Sequence, residues 1–210
     1  MAKLYFKFGA MGSSKTAQAL MTKFNYEEKG KRVLLVKPAT DTRDDFPDET
    51  GRTKTVVRSR IGLFAEAVAV AETDSMKALF EEKNAAAPID VIIADEAQFL
   101  TVRQVNELKD LADFSDIPVL CFGLRTDFQT KMFPGSKRLL EIADSITEIK
   151  SICRCGRKAT VNVRFDEGGE IITEGDQVLI GGNDRYEGMC YKCYIRLIDS
   201  KNKSKEFLNK

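Results

Sequence analysis

The sequence has no histidine and no tryptophan among its 210 residues. Without histidine, catalysis by a Ser-His-Asp or Cys-His arrangement is excluded, and so is any histidine ligand for a metal. No apolar run approaches the ~18 to 20 residues that span a bilayer. The 33 Lys and Arg residues balance 32 Asp and Glu residues, so the basic footprint of a nucleic-acid binder is missing too. We therefore expect a soluble, cytoplasmic protein with neither a membrane nor a nucleic-acid partner.

The five cysteines are unevenly distributed, because four of them lie in the last third of the chain. Two close pairs, Cys153 with Cys155 and Cys190 with Cys193, have 34 residues between them. Two such pairs of thiolates can complete a tetrahedral Zn²⁺ site with no open position, which makes the metal structural. Two disulfides or four buried thiols are the alternatives, and a reducing compartment favours zinc. Cys121 lies within an apolar run, and we expect it in the core.

Short apolar runs alternate with amphipathic stretches over the first part of the chain. The strand-like runs are Leu4–Phe8, 33–36, Val91–Ala94 and 119–122, and the helix-like stretches are 15–28, 63–71 and Val102–Phe114. Runs this apolar are typical of strands that are covered on both faces. The alternation therefore predicts an α/β fold, a doubly wound core in which helices flank a parallel sheet.

The composition divides the chain into three parts. Residues 1–150 form the predicted α/β domain, within which residues 41–60 are too polar for a core element and are expected to be an exposed, mobile loop or hairpin. From residue 151 onward, cysteines, glycine pairs and short β-branched runs indicate a small β-rich module over residues 151–199. The lysine-rich residues 200–210 have little apolar content and are expected to be disordered.

A candidate phosphate loop follows the first predicted strand and opens the first predicted helix. Its residues are Gly9, Ala10, Met11, Gly12, Ser13, Ser14, Lys15 and Thr16. Backbone N–H groups would surround phosphates, Lys15 would neutralise the terminal ones, and the Thr16 hydroxyl would bind Mg²⁺. Ser14 departs from the pattern GxxxxGK[ST], which has glycine there, at a strain of ~1–3 kcal/mol if the backbone takes the region that favours glycine. The alternative is a turn that binds nothing.

The predicted strand Val91–Ala94 ends in two carboxylates, Asp95 and Glu96. In a parallel sheet they would lie at the carboxyl edge, as the phosphate loop does. Asp95 would then hold Mg²⁺, directly or through water, and Glu96 would accept a proton from water or a substrate hydroxyl. Because the chain has no histidine, a carboxylate is the natural base. The alternative is that the two acids only cap the helix expected near Thr101.

Together these motifs resemble those of the type II thymidine kinase family. Its members are zinc-containing deoxynucleoside kinases with a P-loop, RecA-like core. The resemblance covers about residues 3–198, and its most specific segments are GAMGSSKT, DEAQF, GLRTDFQ and IGGNDRY. It implies Mg²⁺-dependent transfer of the γ-phosphate of ATP to the 5′-hydroxyl of thymidine by a homotetramer. Residues 41–60 match a flexible lid, in which Arg60 stands where many relatives have histidine.

The resemblance also implies roles for individual residues. Glu96 matches the general base, and the ATP site matches the phosphate loop together with Asp95, Glu96, Ala97 and Gln98. The base and sugar of the nucleoside would be enclosed by Met11, Phe99, Leu124, Phe128 and Phe133. A lasso loop, anchored by the zinc module, would hold the thymine through the main chain of Gln177, Val178, Leu179 and Ile180, and Tyr186 would close over it. Ordinary core packing is the alternative for the aromatic residues.

The residues leave two other functions open. The first is a P-loop ATPase or helicase-like motor that grips nucleic acid with a zinc ribbon, because DEAQ is similar to the acidic motif of such motors. The balanced charge and a length that holds one core argue against it. The second is a non-enzymatic zinc-ribbon interaction module whose nucleotide pocket has degenerated, and Ser14 is the residue that motivates it.

Overall fold

Strands and helices alternate along the first part of the chain in this computed structural model, which describes residues 1–47, 49–51, 53–177 and 186–208. The strands are Leu4–Phe8 (β1), Val33–Pro38 (β2), Phe46–Pro47 (β3), Thr53–Lys54 (β4), Val56–Arg58 (β5), Phe64–Glu66 (β6), Val68–Val70 (β7), Val91–Ala94 (β8), Val119–Gly123 (β9), Ser145–Glu148 (β10), Ser151–Ile152 (β11), Lys158–Ala159 (β12), Val161–Phe165 (β13), Ile171–Ile172 (β14) and Tyr186–Met189 (β15). The helices are Lys15–Glu27 (α1), Met76–Ala86 (α2), Val102–Phe114 (α3), Pro134–Ile142 (α4) and Tyr191–Leu208 (α5). A 3-10 turn at Ala97–Phe99 follows β8 closely.

Six parallel strands form the central sheet, in the order β10–β1–β9–β8–β2–β7. Every residue of β8 and β9 is buried, because parallel strands are joined by crossovers that cover both faces. Neighbouring residues of β8 show the two faces: Ile92 packs in the same cluster as Leu108 of α3, and Ile93 in the same cluster as Leu20 of α1. The predicted α/β class with a helix-flanked parallel sheet is confirmed.

The helix expected over residues 63–71 is wrong. The structure has two short strands there: β6 pairs with β5, and β7 extends the central sheet beside β2. The larger side chains fall at every second position, at Phe64, Glu66, Val68 and Val70, and a period of two belongs to a strand. The intervening alanines favour a helix only through intrinsic propensity, which pairing with β2 and β5 overrides.

Residues 41–60, expected as an exposed loop or hairpin, contain an antiparallel hairpin of β3 with β4 followed by β5. The segment is also tied to the central sheet. Lys37 of β2 is 1% exposed, and its Nζ donates to the Asp45 carboxylate at 2.7 Å and to the Val56 carbonyl at 2.8 Å. A buried ammonium group needs such partners, so the base of the segment is held where β2 ends.

The C-terminal module, defined here as residues 151–177 and 186–208, consists of small antiparallel sheets and α5. β13 lies between β14 and β15, and β11 pairs with β12. The disorder expected over residues 200–210 is not found for 200–208, because α5 continues to Leu208. No glycine or proline follows Tyr191, and lysine and glutamate favour helices. Within the described ranges, no helix is both long and apolar enough to cross a membrane.

Gly135, in the first turn of α4, lies directly against the main chain that follows β8. A Cβ at this position would be 2.5 Å from the Leu100 carbonyl oxygen and 2.8 Å from that of Ala97. We expect Gly135→Ala to lower the free energy of unfolding by ~1–3 kcal/mol, because main-chain atoms must shift to admit the methyl group. Urea denaturation measures the loss. Lys137→Ala, at an exposed position of the same helix, should cost less than ~0.5 kcal/mol, and equal losses would contradict the explanation.

Candidate active site

The phosphate loop and the two carboxylates lie at the same edge of the central sheet. β1 leads into the loop at residues 9–16, and β8 leads into Asp95 and Glu96, with β9 between the two strands. The Gly9 N–H donates to the Gly123 carbonyl at the end of β9, at 3.3 Å. Parallel strands deliver their following residues to one edge, and the sheet therefore brings together the groups that the sequence motifs single out.

Lys15 is buried inside the phosphate loop. Its Nζ donates to the carbonyl oxygens of Gly9 and Ala10, each at 3.1 Å. Burial lowers the pKa of Lys15, while the carboxylates of Glu96 and Asp95 act in the opposite direction. The ammonium group is thus held at the loop by main-chain oxygens and lies within the field of the acidic strand end.

The backbone is in the left-handed region at two non-glycine residues of the site. Ser14 has φ 60° and ψ 29°, and Glu96 has φ 48° and ψ 36°. Ser14 therefore occupies the glycine-favouring conformation that the motif requires, which is the condition under which we expected strain. Such a conformation costs on the order of 1–3 kcal/mol and persists only where surrounding contacts determine it. Ser14 immediately precedes α1, and Glu96 lies two residues after the end of β8.

Asp95 is a buried carboxyl group beside the loop. Burial raises its pKa to about 7, with a further contribution from the neighbouring Glu96 carboxylate, and a hydrogen bond with the Thr16 side chain opposes both. Carboxylate and hydroxyl oxygens are the ligand types that Mg²⁺ prefers. The Asp95 carboxylate and the Thr16 hydroxyl are in contact, so this pair fits a magnesium ion.

The two acids do not cap α3. Helix α3 begins with a capping box, in which the Gln104 N–H donates to Thr101 Oγ1 at 3.2 Å and the Thr101 N–H donates to Gln104 Oε1 at 3.0 Å. The cap position is filled by Thr101. Asp95 and Glu96 precede a separate 3-10 turn, so the capping alternative for this motif is wrong.

Both oxygens of the Glu96 carboxylate are occupied. Oε1 accepts a hydrogen bond from Nη2 of Arg43, and Oε2 accepts one from Nε2 of Gln98 at 2.6 Å. The Arg43 guanidinium also donates twice to the Asp41 carboxylate, at 2.7 and 3.0 Å. The sequence motifs did not identify Arg43 or Asp41. The available signal was their position shortly after β2, which lies next to β8 in the sheet.

Gln98 links the acidic strand end to the loop after β9. It is 1% exposed, and while its Nε2 donates to Glu96, its Oε1 accepts from the Leu124 N–H at 2.9 Å. The sequence placed Gln98 in the ATP site without a distinct role. Its contacts hold the orientation of the Glu96 side chain relative to the loop that carries Leu124.

A cavity of about 530 Å³ opens beside the phosphate loop. Its size lies in the usual range for small-molecule sites. Four cationic side chains line it, and three of them come from the segment 41–60, which the sequence indicates as a loop or hairpin and the resemblance as a lid. The lining includes Met11, Gly12, Lys15, Arg43, Arg58, Arg60 and Glu96. A pocket with this charge suits an anionic ligand such as a triphosphate.

Of the aromatic residues expected around a nucleoside, Phe128 and Phe133 are buried and Phe99 is half-buried, close to the same edge. The rings of Phe99 and Phe133 meet edge to face, with centroids 5.5 Å apart. Leu124 and Phe128 are buried in the loop after β9, with the Arg164 guanidinium 5.2 Å from the centroid of the Phe128 ring. Core packing by itself also produces this degree of burial.

The expected lasso is described only in part. The Gln177 side chain donates to the Asp127 carboxylate at 2.9 Å, next to Phe128. Tyr186 is half-buried at the start of β15 and lies opposite Arg164 of β13. The other lasso positions, Val178, Leu179 and Ile180, lie outside the described residues.

The four C-terminal cysteines come together as one cluster. The sulfur atoms of Cys153, Cys155, Cys190 and Cys193 all lie within 4.8 Å of one another, and all four thiols are free. The sulfur atoms of a tetrahedral Zn²⁺ site are ~3.8 Å apart, given Zn–S bonds of ~2.3 Å, and the 3.6 Å between the Cys155 and Cys190 sulfurs agrees. The cluster therefore fits a metal ion such as zinc. Cys121 is fully buried in β9, and burial raises its pKa to about 12, as expected of a core thiol.

The fold and the site define a P-loop nucleotide-binding protein, with a lysine-bearing loop after β1 and an acidic strand end at β8. Comparison with known families makes this specific. The thymidine kinase family model matches residues 2–194, and the chain belongs to that family.

Relatives agree over almost the whole chain. The thymidine kinase of Zymomonas mobilis is 46% identical over 200 residues, which are 95% of this chain and 100% of that protein. The thymidine kinase of Photorhabdus laumondii is 40% identical over 206 residues, 98% of each chain. Among solved structures, the Pif1 helicase of Candida albicans has a TM-score of 0.41 at 16% identity, covering 73% of this chain and 37% of that one. That likeness is too low to bear on function.

Two substitutions at Ser14 test whether the phosphate loop requires a left-handed backbone conformation there. We expect Ser14→Gly to fold at least as stably as the wild type, because glycine takes φ 60° without strain. Ser14→Val should lose about 1–3 kcal/mol of unfolding free energy, because a β-branched side chain is strongly disfavoured there. Chemical denaturation measures both variants. A valine variant as stable as the glycine variant would show that the loop does not require this conformation.

Proposed function

We propose that the chain is a thymidine kinase, which transfers the γ-phosphate of ATP to the 5′-hydroxyl of thymidine and gives dTMP and ADP for nucleotide salvage. The observation that carries the proposal is the meeting of Lys15, Asp95 and Glu96 at one sheet edge, in a chain of the thymidine kinase family. The relatives named thymidine kinases support the choice of nucleoside.

The phosphate loop is the proposed site for the triphosphate. Main-chain N–H groups at the start of α1 surround the phosphates, and Lys15 neutralises the terminal ones. Thr16 and Asp95 would hold Mg²⁺, whose chemistry when bound is to neutralise charge on the phosphate oxygens. The cationic side chains of Arg58 and Arg60 line the same cavity and add to its attraction for ATP. Ala97 and Gln98 complete the proposed ATP site.

Glu96 is the proposed general base. Its carboxylate accepts the proton of the 5′-hydroxyl as that oxygen forms a bond to the γ-phosphorus. The bond from the phosphorus to the oxygen bridging the β- and γ-phosphates breaks, and ADP leaves. Hydrogen bonds from Arg43 and Gln98 orient the carboxylate. Correct orientation is a large part of the catalytic effect.

The nucleoside is proposed to lie between the phosphate loop and the loop after β9. Its base and sugar would meet a mostly apolar wall with few polar contacts, as small-molecule sites generally provide. The residues of this wall are Met11, Phe99, Leu124, Phe128 and Phe133. The main chain of residues 177–180 and the Tyr186 ring would complete the pocket, and residues 41–60 would close over it as a lid that excludes water.

We also propose that zinc is the metal of the cysteine cluster and that its role is structural. Four thiolates leave no open coordination position, and binding of zinc contributes ~10–16 kcal/mol to the folding of small metal modules. Two further parts of the proposal are a homotetramer, which rests on the resemblance to the family, and a cytoplasmic location, which rests on the lack of a bilayer-spanning apolar run in the sequence. The absence of a nucleic-acid partner rests on the balanced charge.

Replacing the proposed base tests the assignment. We expect Glu96→Gln to bind ATP with nearly unchanged affinity and to lose roughly 10²–10⁴-fold in turnover, because glutamine cannot accept the hydroxyl proton. Calorimetric titration with ATP and a phosphoryl-transfer assay give the two quantities. Glu72→Gln, at an exposed position, should retain full turnover. Normal turnover of Glu96→Gln would refute the assignment.

Metal analysis tests the zinc proposal. We expect one zinc ion per chain after purification without chelators, because four thiolates at these distances complete a tetrahedral shell. Cys190→Ser should lose most of the metal and lower the melting temperature of the protein. Cys121→Ala keeps all four ligands and should retain its zinc. Well under one zinc per wild-type chain would contradict the proposal.

A further inference from the structure

The phosphate loop is seated on the C-terminal module at residue Met11. The Met11 N–H donates to Oδ1 of Asn162 at 2.8 Å. The Met11 carbonyl oxygen lies against Gly188, where a Cβ would be only 2.5 Å away. Asn162 and Gly188 lie opposite each other in the register of β13 with β15. β13 and β15 therefore both contact Met11 of the phosphate loop. The neighbouring Ala10 packs on the apolar cluster of the same module.

Asn162 also holds the loop after β9. Its Nδ2 donates to the Thr126 carbonyl at 2.7 Å, two residues before Phe128. Asn162 is 3% exposed and lies between the buried residues Val161 and Val163. An amide at such a position is costly unless its polar atoms are paired. Both ends of this amide are paired, each with the main chain of a different loop.

We propose that Asn162 is a positioning residue that fixes the phosphate loop and the loop carrying Leu124 and Phe128 relative to each other. It acts through the main chain of Met11 and Thr126. The proposal deepens the proposed function, on which its kinetic consequences rest. We call the two hydrogen bonds from Asn162 to the main chain of Met11 and Thr126 the tether. The tether does not depend on which nucleoside is the substrate.

The physical reason is preorganisation. A loop that is already ordered loses less conformational entropy when a nucleotide binds. In-line transfer also requires the donor phosphate and the acceptor hydroxyl to be aligned to within about an ångström. One amide bonded to both loops couples the position of the ATP side to that of the nucleoside side. Loss of the amide should therefore weaken the binding of both substrates.

Two variants test the tether on the metal-loaded protein. Asn162→Leu keeps the approximate volume and removes both hydrogen bonds, and Asn162→Ala removes them without any risk of overpacking. We expect the Kd for ATP and the KM for thymidine each to rise roughly tenfold, the size of effect produced by losing a buried hydrogen bond. Hydrogen exchange followed by mass spectrometry should show faster exchange in residues 9–16 of the free protein.

The matched control is Glu187→Gln on β15, the strand beside β13, which removes the ion pair between Glu187 and Arg154. It should leave ATP affinity, exchange in the phosphate loop and both KM values unchanged. A role in stability alone would lower the active fraction, and hence the apparent kcat, with unchanged KM values and unchanged loop exchange. That result would overturn the proposal, and so would failure of both Asn162 variants to fold with zinc bound, because a positioning residue is not needed for folding.

The test separates this proposal from the proposed function. If the wild-type protein phosphorylated no nucleoside, the proposed thymidine kinase function would be refuted. The ATP affinity and the hydrogen exchange of the phosphate loop would still test the tether. If the wild type were active and the Asn162 variants kept normal KM values and normal loop exchange, only the tether would fail.

Discussion

The constraint on which the site depends is the burial of the Lys15 ammonium group opposite two carboxylates. A buried charge is costly unless hydrogen bonds and opposite charge compensate it. Here two main-chain carbonyls bind the ammonium group, and Asp95 and Glu96 supply the opposite charge. This arrangement requires β1 and β8 to end at the same edge, with β9 between them, which a parallel sheet in this strand order provides. The same three strand ends supply the loops around the proposed substrates.

Two residues near the buried Lys15 have strained backbone conformations, and contacts from other parts of the chain hold this region. Ser14 and Glu96 hold left-handed backbone conformations, which persist only when neighbouring contacts determine them. The supporting contacts come from separate parts of the chain: Arg43 follows β2, Gln98 lies in the turn after β8, and Asn162 belongs to the C-terminal module. A metal site in that module would therefore support the phosphate loop as well as its own fold.

The sequence predicts those features that depend on local patterns. Helix α3 begins and ends where its apolar period does, and β1 and β8 match their apolar runs. Residues 63–71 were misassigned because their alanines fit a helix locally, whereas pairing with distant strands decides the outcome. Arg43 and Asn162 were missed for a related reason. Their partners lie 53 and 151 residues away, and a single polar contact across such a separation produces no periodic or motif signal.

The most direct test of the account is the product formed from ATP by the wild-type protein. Purified protein would be incubated with Mg²⁺, ATP and each common nucleoside in turn, with and without single-stranded DNA, and the phosphorylated products identified. The account predicts dTMP and ADP from thymidine in equal amounts, at a rate that DNA does not change. ATP hydrolysis that DNA stimulates, with no nucleoside monophosphate formed from thymidine or deoxyuridine, would contradict it.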